Sequence, residues 1–358
     1  MSEQVQELSV DELYGDKSVR WYQIAARNQS IQAINDGKKR ILVVLPTGTG
    51  KTLTIACTLG CPELAEILGV TDRKLRVMFI AHTHRLLTQA EKTFIGDSNV
   101  ELILQSMMSD IPQSVIDEGW DITVLDEAHH EACSSMQYQL DTLVGEIPLI
   151  GLTATPDRAD GMIIKFEEII NPISREEAVN QGFLADTHLH TIVDGSERSK
   201  AEIIIDIFDN YADQMNGTLI FAKTKKEVTR INDHILSKGY SSVALLDQNK
   251  QEVEDILEQF SEGTVKFIVS CKKLSEGIDV KNCHTVVIGL NVGSYSFLNQ
   301  LIGRAARPDC PCHIYEIVNP LSKDNLDTTC VVGTPSSHKI IYYAKHQWNE
   351  ELFDYTHF

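Results

Sequence analysis

The chain has no apolar run approaching the roughly 20 residues needed to span a bilayer, and its longest apolar stretches are short and bounded by turn residues. It also has no basic leader. The opening MSEQVQELSVDELYGD is polar and acidic, which excludes a secretory or transit signal and sets the expectation of a cytoplasmic, non-secreted protein without a membrane partner. Cysteine pairing is missing as well: Cys57, Cys61, Cys133, Cys271, Cys283, Cys310, Cys312 and Cys330 show no repeated pair spacing. The isolated Cys310-Pro-Cys312 finds no second pair to complete a zinc site, so these residues read as reduced thiols. Positive charge is scarce, with 32 Lys and Arg against 51 Asp and Glu for a net charge of −19. That balance excludes a broad electropositive surface. Any polyanion would instead meet local lysines, backbone N–H groups and helix N-termini inside a cleft, and the acidic exterior leaves room for a protein partner. Low-complexity segments and short solenoid repeats are absent.

What the chain does have is enough material for two cores. Its 358 residues are 42% hydrophobic and 23% charged, the balance of a folded soluble protein. Runs rich in Val, Ile and Leu recur between longer amphipathic stretches: RILVVL at 40–45, RVMFIA at 76–81, ELILQ at 101–105, ITVLDE at 122–127 and PLIGLTA at 148–154. They read as parallel strands buried on both faces and joined by helices. The pattern restarts with HLHTIV at 188–193, TLIFA at 218–222, SVALL at 242–246, KFIVS at 266–270, TVVIGL at 285–290 and HIYEIV at 313–318. The expected fold class is therefore α/β, with two tandem domains, each a mainly parallel sheet flanked by helices. An acidic tail covers 1–17, the first domain 18–171, a turn-rich linker 172–185, the second domain 186–320 and a C-terminal extension 321–358. In that extension Trp348, Phe353, Tyr355 and Phe358 read as a helix packed on the second domain or as a docking peptide, with simple packing the favoured reading.

Two motifs carry chemistry. RILVVL runs into Pro46-Thr47-Gly48-Thr49-Gly50-Lys51-Thr52 and then into a helical pattern, the strand, loop and helix order that a phosphate cradle requires. Gly48 and Gly50 permit a tight turn that aims N–H groups at phosphates. Lys51 would neutralise the β and γ phosphates and the Thr52 hydroxyl would ligate Mg²⁺. Leu45 stands where the strict pattern has its first glycine, and taken alone the string also reads as a glycine turn before a helix. Downstream, Asp126-Glu127 ends an apolar strand, where open parallel sheets hold ligands. Asp126 suits Mg²⁺, and Glu127 suits orienting and deprotonating a water.

At this point the chain resembles the superfamily 2 helicases and translocases. Asp126-Glu127-Ala128-His129 is similar to the DEAH form of motif II, LTATP at 152–156 to motif III, and QLIGRAAR at 300–307 to motif VI. RWYQ at 20–23 resembles the adenine-reading element, AHTHRLLTQA at 81–90 motif Ia, TLIFAKT at 218–224 motif IV and SCKKLSEGIDV at 270–280 motif V, so the resemblance spans about residues 19 to 320. It implies two RecA-like domains with a nucleotide cleft between them, and ATP with Mg²⁺ as cofactors. It also implies a nucleic-acid partner, with DNA preferred and RNA the alternative. The style of the motifs is closest to DNA repair, restriction and phage translocases of the DEAH-like branch, which implies the cytoplasm, or the nucleoid or host cytoplasm for a phage-encoded chain.

By that resemblance Gln23 would read adenine with Arg20 and Tyr22 flanking the ring, and Arg304 and Arg307 would be arginine fingers. Gln300 joins the catalytic set, and Gly277 and Asp279 would approach the nucleotide. His129, Thr153 and Thr155 would couple nucleotide state to domain geometry. Strand contacts would come from Thr83, Arg85, Gln105, Ser106, Thr224 and Ser270, any of which serves equally as a loop cap. A competing reading is a non-processive ATP-dependent clamp or switch that works with a protein partner.

Overall fold

The structure, a computed structural model, describes residues 12–14, 17–81, 84–94, 99–107, 109–128, 146–154, 166–194, 198–271, 280–290, 298, 302–303, 311–318, 328, 335–344 and 347–353. The chain divides into two compact units, Met1–Ser174 and Arg175–Phe358. No helix among the described residues is long and apolar enough to cross a membrane.

Unit 1 opens with an antiparallel pair, β1 (Glu12–Tyr14), inside the stretch expected to be a tail, and β2 (Lys17–Val19), which starts at that stretch's last residue. Helix α1 (Trp21–Asn35) follows. The sheet comprises β3 (Arg40–Val44), β4 (Leu75–Ala81), β5 (Val100–Ser106), β6 (Ile122–Asp126), β7 (Leu149–Thr153) and β8 (Glu168–Ile170). Their order is β5-β4-β6-β7-β3-β8, and every pairing is parallel. Parallel pairing needs long crossovers. Here they include α2 (Lys51–Leu59), α3 (Pro62–Ile67), α4 (His84–Phe94) and α5 (Gln113–Glu118). Leu42, Val44, Met78, Ile80, Leu125 and Leu149 share one core with Trp120, whose indole N–H donates to Thr123 Oγ1 at 3.0 Å.

Unit 2 begins with α6 (Arg175–Asn180) and β9 (Thr187–Val193). It continues through α7 (Lys200–Tyr211), β10 (Thr218–Phe221), α8 (Lys225–Ser237), β11 (Ser242–Leu245), α9 (Lys250–Ser261), β12 (Phe267–Ser270), β13 (Thr285–Ile288), β14 (Cys312–Val318), β15 (Ser337–Ala344) and β16 (Gln347–Leu352). The eight strands are ordered β11-β12-β10-β13-β14-β9-β15-β16, all parallel except the antiparallel β15 and β16. Two apolar layers cover the two faces, one around Phe221, Ile288 and Ile314, the other around Ile204, Phe208, Phe267 and Ile341. Helices α7, α8 and α9 each start with a capping box, Ser199 with Glu202, Thr224 with Glu227 and Asn249 with Glu252. Side chain and backbone there satisfy each other's orphan groups, so the three helix starts are fixed locally.

The C-terminal extension departs from expectation. The sheet continues past residue 320, the expected limit of the second domain, and Trp348 lies in β16 rather than in a helix. Pairing explains the difference: β15 runs in register beside β9 from Ser337 opposite His188 to Tyr342 opposite Val193, and Ile341 is buried in the core there. Tyr343 and Trp348 meet edge to face at 5.3 Å, and the Arg198 guanidinium lies over both rings, 4.4 Å from the Tyr343 centroid. Phe353 packs on His338 at 5.1 Å, whereas Tyr355 and Phe358 lie outside the described residues.

A stack of rings crosses the middle of this sheet. His190 on β9 lies flat against Tyr315 of β14 at 4.2 Å and against His313 at 5.4 Å, and His313 stacks on His188 at 4.9 Å. His190 is only 5% exposed. Burial, reinforced by the charges of His313, Lys339 and His188, pushes its imidazole down to about 3.

Candidate nucleotide site

The phosphate loop of unit 1 is an extension of the sheet that turns back on itself. Leu45 N–H donates to the Thr153 carbonyl at 3.0 Å, which carries the β3 to β7 pairing one residue further, and the Leu45 side chain is buried. A glycine at that position would forfeit this packing, so the departure from the strict pattern has a structural cause. The chain then bends through Gly48 and Gly50, at φ 90° and 85°, a left-handed region that glycine enters without steric cost. Thr49 closes the turn, its hydroxyl donating to the Pro46 carbonyl at 2.7 Å. Gly50 caps α2, whose first two residues are Lys51 and Thr52.

The start of α1 braces this loop from behind. Tyr22 Oη and Gln23 Nε2 both donate to the Thr49 carbonyl, at 2.9 and 3.0 Å. Arg20 Nη1 donates to Tyr22 Oη at 3.0 Å, and Arg20 N–H donates to Gln23 Oε1 at 2.9 Å. This arrangement differs from the expected adenine reader. The Tyr22 ring is 0% exposed, so neither of its faces is open to a base. Gln23 is 2% exposed, with both ends of its amide bonded to backbone. The three residues hold the loop in shape. Gly50 belongs to the same brace, because a Cβ there would lie 2.7 Å from Gln23 Nε2.

The acidic pair stands two strands away. In the order β6-β7-β3, the end of β6 is separated from the loop by β7 alone, which puts the two roughly 10 Å apart at the usual inter-strand spacing. Both lie at the carboxyl edge of a parallel sheet, where such sheets place their ligands. Asp126 is 5% exposed and accepts the Glu127 N–H at 3.0 Å. Burial and then the Glu127 charge push its carboxyl up to about 7, against the opposing pull of the Lys51 ammonium and the Glu127 N–H. A buried carboxylate in tension between desolvation and one lysine favours a further cation. Glu127 has φ 51°, a left-handed conformation uncommon for a residue with a Cβ. Such strain persists only where surrounding structure imposes it. Gly151 on β7 gives that structure room, since a Cβ there would lie 2.9 Å from Ala128 Cβ and 2.7 Å from Phe166 Cζ. Thr153 ends β7 fully buried between the loop and the acidic pair.

The expected strand-contact residues separate. Gln105 is buried and donates to the carbonyls of Ser106 and Ser109 at 2.8 and 2.7 Å, so it ties the turn after β5 rather than facing a polymer. Ser106 is half-buried in the same turn. Thr224 is exposed and caps α8, its Oγ1 accepting from Glu227 N–H at 3.2 Å. Ser270 Oγ is buried at the end of β12 and makes no hydrogen bond among the described residues. Thr83, His129, Thr155, Gly277, Asp279, Gln300, Arg304 and Arg307 lie outside the described residues, as does the side chain of Arg85 on α4.

Comparison with known proteins bears on both units. Residues 199–309 match the family described as the helicase conserved C-terminal domain, and residues 16–101 match that of the type III restriction enzyme res subunit. A Saccharomyces cerevisiae protein named as an ATP-dependent helicase, IRC3, is 22% identical over 90% of this chain and 55% of its own length. The type I restriction enzyme EcoAI endonuclease subunit of Escherichia coli is 23% identical over 82% of this chain and 44% of its own. The chain thus spans about half the length of these relatives. Among solved structures, the ATP-dependent type ISP restriction-modification enzyme LlaBIII bound to DNA shares the fold at a TM-score of 0.67, with 15% identity over 92% of this chain and 32% of its own. With a phosphate loop and acidic pair in unit 1, a helicase C-terminal match in unit 2 and a mainly parallel sheet in each, the chain belongs to the superfamily 2 helicases and translocases.

Proposed function

We propose that the chain hydrolyses ATP with Mg²⁺ and couples that hydrolysis to domain closure and movement along a nucleic-acid strand, preferentially DNA. The observation that carries this reading is the placement of Lys51 and Thr52 beside the buried Asp126 and the strained Glu127 at one edge of the unit 1 sheet. The donor set fits magnesium. One hydroxyl and one carboxylate are what Mg²⁺ takes from a protein when phosphates and waters complete its octahedron. When bound, the ion supplies charge neutralisation between the phosphates.

The chain's own residues do the rest. Lys51 and the loop N–H groups hold the β and γ phosphates, and Thr52 and Asp126 hold the ion. Glu127, one residue beyond Asp126, orients a water and takes its proton. The brace from Tyr22 and Gln23 keeps the Thr49 carbonyl turned away from the phosphates, which leaves N–H groups to face them. Arg304 and Arg307 supply guanidinium charge to the transition state. DNA is favoured because one relative is a restriction endonuclease subunit and another is a restriction-modification enzyme bound to DNA. RNA is the alternative that the first assay separates.

That assay is steady-state ATP turnover by the purified chain with Mg²⁺, alone and with single-stranded, duplex or branched DNA or with RNA, beside Glu127→Gln. Stimulation by one polymer that Glu127→Gln abolishes is the expected result. A turnover unaffected by any polymer would replace the motor with a partner-dependent switch, and one retained in Glu127→Gln would remove the site assignment.

A further inference from the structure

The unit 2 sheet ends in a strand edge that is open among the described residues. β16 is six residues long and lies outermost, paired with β15 alone. Phe353 N–H donates to the His338 carbonyl at 2.7 Å, which sets the alternation of the ladder. Gln347, Asn349 and Glu351 therefore turn their backbone groups toward β15, while Trp348, Glu350 and Leu352 turn theirs outward. Among the described residues those three make no backbone hydrogen bond on the outer side. The other sheet edges are guarded. β8 and β11 are only three and four residues long, and β5 packs against α4 with Glu101 its one exposed residue. Short or covered edges are how proteins avoid unwanted strand pairing, and β16 is neither.

The side chains at this edge select what can lie on it. Of the five large apolar side chains exposed among the described residues, Tyr343, Leu352 and Phe353 belong to this hairpin, Leu352 at 74%. Glu350 and Glu351 stand beside them. Glu350 is shared between Lys339, at 3.1 Å, and the Tyr211 hydroxyl. Glu351 accepts from the neutral Tyr342 hydroxyl at 2.8 Å and has no ion pair among the described residues. A second copy of the chain fits poorly here: the antiparallel register that matches all three outward residues sets Glu350 against its own counterpart, and like charges directly opposite are destabilising. A cationic strand fits well. Laid antiparallel on β16, it brings a side chain opposite Glu351 in the closer, non-hydrogen-bonded position, where opposite charges strengthen pairing.

We infer that β16 is a docking strand for an extended segment of a partner protein in which basic side chains alternate with apolar ones. The segment adds a ninth strand to the eight of the unit 2 sheet. Its apolar residues pair their backbone with Trp348, Glu350 and Leu352 and cover the Leu352 side chain, and its lysine or arginine lies opposite Glu351. Main-chain hydrogen bonds give such a contact its affinity and the alternating side chains its choice of partner. The contact concerns assembly, and it holds whichever polymer the ATPase follows.

The test is peptide binding by the full chain, read as fluorescence anisotropy. The probe is a fluorescein-labelled peptide of about seven residues, an ordinary strand length, that alternates leucine with lysine. Three companions carry glutamate in place of lysine, N-methyl groups on the leucine amides, or N-methyl groups on the lysine amides. Methylation keeps the charge and removes N–H donors from one edge of the peptide at a time. The protein variants are Leu352→Pro, which removes an outward N–H that the β15 ladder does not use, Leu352→Val, which keeps it, and Glu351→Lys. The parent is expected to bind the lysine peptide about fivefold more tightly than the glutamate one, a preference that Glu351→Lys should erase. Methylated leucine amides and Leu352→Pro should each weaken binding by about tenfold, whereas methylated lysine amides and Leu352→Val should leave it as it is. Thermal melting reports the fold of each variant, and the two methylated peptides carry the test on the parent alone if Leu352→Pro does not fold. Equal affinity for the two methylated peptides would mean a general attraction of cations to an acidic surface and overturns the docking strand, as does absence of binding by the parent. A parent that sediments as a dimer, and that Leu352→Pro turns into a monomer, gives the edge to a second copy and overturns it too.

Discussion

Replacing Gly50 by alanine tests the brace behind the phosphate loop, because two separable costs meet at one atom. The first is conformational. Gly50 sits at φ 85°, where a Cβ costs about 1–2 kcal/mol. The second is the neighbour. The new methyl would lie 2.7 Å from Gln23 Nε2, so the amide must leave the Thr49 carbonyl it holds at 3.0 Å. Losing a buried hydrogen bond of that kind costs about 1 kcal/mol, and leaving the buried amide unsatisfied adds about 1–2 more. The sum is about 3–5 kcal/mol. Gly37 provides the reference, since it has nearly the same φ, 82°, and a methyl there would meet nothing within 4 Å. Gly37→Ala therefore reports the conformational cost alone. Chemical denaturation followed through Trp21 and Trp120, both in unit 1, gives the two free energies. The expected excess of Gly50→Ala over Gly37→Ala is about 2–3 kcal/mol, and it should shrink when Gln23 is also replaced by Ala. Equal costs at the two glycines, or an excess that persists without Gln23, would refute the brace.

Three other perturbations follow from the same geometry. Glu127→Gln should lower ATP turnover by about 10²–10⁴-fold, the usual contribution of a positioned base, while the affinity for a fluorescent ATP analogue stays within a few-fold. Gly151→Ala should destabilise unit 1 by about 1–3 kcal/mol through overpacking and reduce turnover as well, because Ala128 follows Glu127 directly; calorimetry and the ATPase assay read the two effects. His190 should make unit 2 acid-sensitive. Its folded value, about 3, lies below the ordinary 6.5, so the unfolded chain binds the extra proton and stability falls as pH drops below about 6.5. The loss reaches about 3 kcal/mol by about pH 4, and His190→Phe, which keeps the stack on Tyr315, should remove that part of the pH dependence in urea titrations.

The strands that were legible in the sequence share one property. Each of RILVVL, RVMFIA, TLIFA and TVVIGL is apolar at consecutive positions because both sheet faces are covered, and a run of that kind announces itself without a partner. β8 and β16 do not. Glu168-Ile169-Ile170 is three residues long with Ile169 exposed, and Gln347-Trp348-Asn349-Glu350-Glu351-Leu352 is polar enough to pass for a helix or a loop. The phosphate loop and Asp126-Glu127 were legible because chemistry fixes their residue types and order. The role of Gln23 was not, since it depends on which backbone carbonyl the amide meets 26 residues away. The His190 stack is hidden for the same reason, its partners His313 and Tyr315 being more than 120 positions along the chain.

The position of β9 has a consequence for how the protein is made. Strands β3 to β8 all lie within residues 40–170, so unit 1 has its whole sheet as soon as that stretch leaves the ribosome. In unit 2 the first described strand to emerge, β9, ends up inside the sheet between β14 and β15, which follow it by more than a hundred residues. During translation β9 and its buried His190 must wait through more than a hundred residues with both edges open. Long-range parallel pairing of this kind is slow and exposes strand edges to wrong partners. The nascent chain is thus expected to pass through a stage with a finished first half and an unfinished second half, the stage at which a chaperone would matter most.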